Sequence, residues 1–151
     1  MRIEEKIPLI FGVPPQGFLK GLKSQKAFVA EVRPELLGMT IVAKELAKYG
    51  REPVVLCDNM MAFCMERGLV SAVHIFYQAL NKKTALCRTG SLIAALCAKA
   101  HHIPVTLGQA RVLKFKPSSL LRIGAKKVTA ANIKTYVPLF EEVPLNLTKE
   151  L

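Results

Sequence analysis

At 151 residues with 51% hydrophobic content, the chain is one domain's worth of sequence and too apolar to stay disordered. No apolar run approaches the roughly 20 residues of a membrane span, and the opening MRIEEKIPLIFG lacks the small-residue cleavage site of a signal peptide, so a cytoplasmic protein without membrane contact is expected. The formal net charge is +11, and between Arg67 and Phe140 twelve Lys and Arg occur without one Asp or Glu, which suits an anionic partner as well as a solvated basic face.

Ile7–Gly12 is a short apolar run closed by a Pro/Gly turn, and Phe18–Lys23 reads as a short helix. Lys26–Val32 is a strand that Arg33-Pro34 breaks, because proline holds the residue before it extended. Pro34 then suits the first turn of a helix. Leu36, Met39, Ala43 and Leu46 recur at the spacing of one buried face, with Lys44, Glu45 and Lys48 opposite, and Gly50 ends the helix. Pro53–Cys57 is apolar without alternation, as in a strand covered on both faces. Asp58 offers an N-cap to the helix carrying Met60, Met61 and Phe63.

Ala72–Tyr77 is a third strand, and Asn81–Thr84 a polar loop. Thr89 or Ser91 caps a helix running to about His101. Ile103–Leu107 is a fourth strand, Val112–Phe115 a further short one, and Pro117–Val128 a basic loop. This alternation predicts an α/β three-layer sandwich with a mainly parallel, Rossmann-like sheet. Its central strands are Phe28–Val32, Val54–Cys57, Val73–Phe76 and Pro104–Leu107.

Cys57, Cys64, Cys87 and Cys97 form no C-x-x-C pair and are expected as buried, reduced thiols. A structural zinc would need closer pairing. His101 and His102 lack metal-ligand company and suit a helix C-terminus. No metal and no cofactor is expected. Arg88 beside Gly90-Ser91 at a helix N-terminus suits an anion, although capping with a solvated Arg88 accounts for the same residues equally well. A small anion would lie at the carboxyl ends of the strands, near Arg33, Asp58, Arg88 and Gly90. Nucleic acid contact through residues 67–140 has the charge but no motif, since only Phe76, Tyr77, Phe115 and Tyr136 interleave the basic residues.

The segments FVAEVRPELLG, VVLCDNMMAFCMERG and SAVHIF resemble the C-terminal domain of one family. It comprises methylthioribose phosphate isomerase, the archaeal ribose bisphosphate isomerase, and the alpha, beta and delta regulatory subunits of translation initiation factor 2B. The family's V-x-E-[ST]-R-P-x-x-[QE]-G appears as Glu31, Arg33, Pro34 and Gly38, and its T-D-N-[MS] as Asp58, Asn59 and Met60. Its N-K-x-G-[TS] matches Cys87-Arg88-Thr89-Gly90-Ser91, and its closing motif matches Pro138, Phe140, Glu141 and Pro144.

The resemblance implies pairing into a homodimer, helped by apolar Val137, Leu139 and Phe140. It also implies a phosphorylated ligand, a sugar phosphate or nucleotide, held by Arg33, Asp58, Asn59, Gln78, Arg88, Gly90 and Ser91. Four departures stand against the isomerase reaction. The family's cysteine is absent from the strand ending at Gly12-Val13, and its aspartate falls on Gln78, or on Tyr77 in the other register. Leu37 and Thr40 replace a Gln and an Arg. The helical N-terminal domain that contributes phosphate-binding arginines is expected to be missing from a single domain spanning 1–151. The expectation is therefore a chain with no catalytic residue and no enzymatic activity, a binding or regulatory module like the initiation factor 2B subunits. The alternative is a sugar-phosphate isomerase with altered residues or completed by a partner chain.

Overall fold

The computed structural model of the chain describes residues 5–114, 119–129 and 131–150. In chain order it forms β1 (Ile7–Phe11), α1 (Gln16–Gly21) and β2 (Lys26–Ala30), then a π-helical segment, Gly38–Ala43, that runs into α2 (Lys44–Lys48). β3 (Glu52–Leu56) leads through a 3₁₀ turn, Asp58–Met60, into α3 (Met61–Glu66). β4 (Val70–Leu80), β5 (Thr84–Arg88), α4 (Ser91–Ala100) and β6 (Val105–Gln109) come next. A small hairpin of β7 (Arg122–Ile123) and β8 (Lys126–Lys127) precedes β9 (Phe140–Pro144), and a 3₁₀ turn, Leu145–Leu147, precedes β10 (Lys149–Glu150).

The main sheet runs β10-β6-β4-β1-β2-β3, and each of these neighbours pairs parallel. All four expected strands are therefore present and parallel, with β1 inserted at the centre. β1 is buried along its whole length, which explains its unbroken apolar text. β4 outruns its neighbours, and its far end pairs antiparallel with β5, which pairs antiparallel with β9. Helices cover both faces. Ile7, Leu9 and Phe11 join the core under α3 and α4, while Ile10 joins Leu19, Val42 and Leu46 under α1 and α2. Alternate residues of one strand thus feed two cores, the period-two rule of a strand buried on both sides.

Five local expectations are corrected. β3 is an edge strand, with Val55 38% exposed, so its apolar run reflects one covered face and a half-open one. Residues 33–36 form a turn, not the first turn of a helix. The π-helical segment then shifts the buried stripe: Met39 is 42% exposed while Val42 is fully buried, because a π turn holds one residue more than an α turn and rotates the residues beyond it. Residues 112–114 are irregular rather than a strand, and Phe115 lies outside the described residues. The basic loop contains the β7–β8 hairpin, turned at Gly124 with φ 59°.

Among the described residues no helix is long and apolar enough to cross a membrane. Cys64 and Cys87 are buried and Cys97 is half-buried, but Cys57 is exposed at the end of β3, where the chain leaves the sheet.

Candidate functional site

The carboxyl ends of β2, β3 and β4 and the turn before α4 form one edge of the molecule. The first two are tied together by Asp58. Its Oδ1 accepts the backbone N–H of Val32 at 2.9 Å and its Oδ2 that of Arg33 at 2.7 Å. Val32 has φ 57°, a left-handed conformation that a β-branched residue adopts only when its surroundings impose it. The carboxylate supplies that constraint, turning the two N–H groups toward one side. Further support comes from Glu31, whose N–H donates to the Leu56 carbonyl at 2.9 Å and whose carbonyl accepts from the Gly38 N–H at 3.1 Å. Gly38 is required there, since a Cβ would stand 1.7 Å from the Ala30 oxygen.

Asp58 therefore does not cap its own helix with its side chain; each of its oxygens instead holds one backbone N–H of the turn after β2. Asn59 is exposed on the adjoining 3₁₀ turn. Beside it, between α3 and α4, lies a crevice of about 30 Å³ lined by Asp58, Asn59, Met61, Ala62, Ile93 and Cys97. That is room for water, not for a sugar.

Arg88, at the end of β5, is 3% exposed. Its guanidinium is bonded to the Glu35 carboxylate and lies 5.2 Å from the centre of the Phe140 ring. The turn after it rides on Phe11: Gly90 has φ 109°, and a Cβ there would meet the Phe11 ring at 2.4 Å. Neither Thr89 nor Ser91 caps α4. The first N–H groups are taken by Glu141, whose Oε1 accepts from Gly90 N–H at 2.7 Å and Leu92 N–H at 2.8 Å. A carboxylate at the positive end of a ten-residue helix is the arrangement the helix dipole favours.

The arginine and helix terminus expected to hold a ligand anion thus already hold two of the chain's own carboxylates. The acid-free span does not deprive this edge of acids: Glu35 and Glu141 enter from its two flanks. A third pair, beyond the carboxyl end of β6, obeys the same logic. Arg111 Nη1 and Nη2 donate to Glu45 Oε1 and Oε2 at 2.8 and 2.7 Å, which holds the Glu45 carboxyl below its usual range and raises Arg111.

Three oxygens at the edge have no hydrogen-bond partner although they are buried: Glu35 Oε1, Thr89 Oγ1 and Ser91 Oγ. Ser91 as a residue is 1% exposed. Buried polar atoms are rarely left so, and these mark where a polar ligand or water would complete the site. Gln78 is half-buried at the irregular pairing between Tyr77 and Ala79 on β4. Arg33 is half-buried in the Asp58-clamped turn. The fold thus brings Arg33 and Asp58 into contact and joins Arg88, Gly90 and Ser91 in a second turn, while Asn59 and Gln78 stand at the margins. Sequence reasoning had Thr89 only as a helix cap and missed both the pairing of Glu35 with Arg88 and the capping role of Glu141. Glu35 carried no signal beyond its place after Arg33-Pro34, whereas Glu141 stood in a motif whose partner lies 51 residues away. Among the described residues no group of three metal-ligating side chains stands together.

The model for the initiation factor 2 subunit family matches residues 18–149. The methylthioribose-1-phosphate isomerase of Thermosynechococcus vestitus is 30% identical over 139 residues, covering 82% of this chain and 39% of that protein. That of Carboxydothermus hydrogenoformans is 28% identical over 148 residues, covering 88% of this chain and 43% of that one. Among solved structures, the delta subunit of translation initiation factor eIF-2B from A. fulgidus superposes with a TM-score of 0.77 at 19% identity, covering 95% of this chain and 51% of that one. The 5-methylthioribose 1-phosphate isomerase of Pyrococcus horikoshii gives 0.75, also at 19%, covering 96% and 49%. At that identity the structures show the fold, a mainly parallel Rossmann-like α/β sheet.

The chain spans about two fifths of the length of the curated relatives it matches, 39% and 43% in these two. The expectation of a chain without enzymatic activity is overturned: these curated relatives are named as isomerases, and so is a solved protein of the same fold. The chain thus stands in a family that includes enzymes.

Proposed function

The chain belongs to the initiation factor 2 subunit family, and we propose that it supplies the sheet-bearing part of a sugar-phosphate aldose–ketose isomerase of the methylthioribose 1-phosphate kind. The observation that carries this reading is the trio of buried, unpartnered oxygens of Glu35, Thr89 and Ser91 at the carboxyl edge. A polyol phosphate offers the hydroxyl groups that such oxygens lack. Aldose–ketose isomerisation moves a proton from one sugar carbon to its neighbour, which needs a group able to take it and return it. Glu35 fits that role on this chain. One oxygen is held by Arg88 and the other is buried without a partner, so the carboxylate is oriented and has an open acceptor. The Thr89 and Ser91 hydroxyls would hold substrate oxygens, and Arg33 the phosphate, since Glu141 already fills the α4 terminus.

The reaction is measured as loss of the sugar C2 proton from methylthioribose 1-phosphate in heavy water, beside thermal stabilisation by the same compound. Exchange that Glu35→Gln abolishes, with stabilisation retained, is the expected result. Stabilisation without exchange overturns the isomerase reading, and neither effect overturns the site as well.

A second copy of the chain is the partner this reading expects. It is supported by apolar side chains left open on α3 and α4: Phe63 and Ile93 are each 59% exposed and Leu96 49%. Light scattering at micromolar concentration tests it, and a monomer there rules it out.

A further inference from the structure

At the amino edge of the sheet, opposite the strand ends that carry Asp58 and Arg88, a cleft of about 420 Å³ opens between the end of α4 and the closing segment. Its size lies within the range of small-molecule sites, about 300–1,000 Å³. Ile103, Pro104, Val105 and Leu147 give it an apolar lining, and Lys99, His102 and Lys149 add basic groups, with no carboxylate among the described lining residues.

Its basic groups are not compensated in the way the molecule's more buried arginines are. Arg88 and Arg111 are both paired to carboxylates brought in by the fold, and Lys26 reaches Glu52 at 3.6 Å. Among the described residues no ion pair engages Lys99, His102 or Lys149. The negative end of the α4 dipole accounts for a basic residue at Lys99 and His102, but not for Lys149, which comes from β10 on the other side of the cleft. Lysines from two separate elements thus converge on an apolar-lined space, a combination that fits a phosphate joined to an apolar group, with lysine acting as a point charge on the phosphate.

We propose that this cleft is a second ligand site, separate from the carboxyl edge, that takes a small organic phosphate ester: Lys99 and Lys149 bind the phosphate, and Ile103, Pro104, Val105 and Leu147 take the apolar moiety. The assignment does not rest on the isomerase reading, since no residue is shared between the two edges.

Phenyl phosphate is the probe, titrated calorimetrically into the full chain at fixed ionic strength, with phenol as the uncharged control. Saturable binding of phenyl phosphate is expected, with phenol much weaker. The double variant Lys99→Ala, Lys149→Ala should raise Kd by at least about tenfold, the loss of a charge-assisted contact, while Lys44→Ala, an exposed lysine on α2, leaves it within about twofold. Because both lysines are exposed, the double variant should keep its wild-type circular dichroism and Tm. Absence of saturable binding overturns the proposal, as does affinity that survives the double lysine variant or falls as far with Lys44→Ala.

Discussion

The carboxylate of Asp58 accepts the backbone N–H of Arg33 at 2.7 Å across 25 residues of sequence, and so fixes the turn after β2 to the end of β3. Its other oxygen takes the N–H of Val32 at 2.9 Å, where the backbone is at φ 57°. The same carboxylate therefore satisfies two donors and holds a conformation that valine does not choose alone.

Replacing Asp58 with alanine removes both acceptors and frees the Val32 turn. Bonds to a charged acceptor contribute about 1.5–3 kcal/mol each, with overlap between the two, so a loss of roughly 2–4 kcal/mol is expected in urea unfolding. Asp58→Asn keeps one acceptor and should fall between. Wild-type stability in Asp58→Ala would show that the turn is held by something else.

Gly38 and Gly17 give a paired test. A Cβ at 38 stands 1.7 Å from a backbone oxygen, whereas one at 17 meets nothing within 4 Å. Gly38→Ala should therefore force β2 and the π-helical segment apart and cost several kcal/mol, on the order of the larger core overpacking penalties, ~3 kcal/mol. Gly17→Ala lies within α1 and should stabilise by about 0.5–1 kcal/mol. Thermal melts of the two variants, read side by side, check the contrast.

His74 should make stability fall in mild acid. Its Nδ1 lies 2.6 Å from the Thr106 hydroxyl, its ring stands edge-on to Phe18 at 5.1 Å, and burial pushes its pKa down to about 4. The unfolded chain takes up this proton near pH 6.5, before the folded one does. Stability is thus full above that value and declines as pH falls to about 4, by on the order of 3 kcal/mol. Glu45, held below the usual carboxylate range by Arg111, adds loss at lower pH. His74→Gln should flatten the decline between pH 6.5 and 4, and an unchanged profile in that variant would refute the assignment.

Thiol reactivity should sort by position. Cys57 is exposed, Cys64 and Cys87 are buried, and burial with the nearby Glu141 charge pushes Cys87 up to about 12. A thiolate is the reacting form, so an aromatic disulfide reagent should label Cys57 in the native protein. Cys64 and Cys87 should react only once denaturant is added. Rapid native labelling of Cys87, located by mass spectrometry, would contradict the packing of β5.

The sequence by itself determined the parallel α/β sheet, because the strands are short, apolar and separated by helical periodicity, signals that act over a few residues. It placed Lys26–Val32, Pro53–Cys57, Ala72–Tyr77 and Ile103–Leu107 on the right elements, and it showed through Arg33-Pro34, Asp58-Asn59 and Gly90-Ser91 which turns face the carboxyl edge. Local pattern could not reveal that β3 is an edge, because an edge strand with one covered face can read as apolar as a buried one. Nor could it reveal the π segment that turns Met39 outward, since one added residue in a turn leaves no mark in composition.

The partners of the charged groups were decided by tertiary structure alone. Arg88 and Glu35 lie 53 residues apart, Gly90 and Glu141 51, and Arg111 and Glu45 66. An acid-free span looks like an uncompensated basic surface only until the chain folds. Burying a guanidinium without a counter-charge costs far more than any local preference supplies, so packing of the sheet brings carboxylates in from both flanks and leaves Thr89 Oγ1, Ser91 Oγ and one Glu35 oxygen unpartnered at the carboxyl edge.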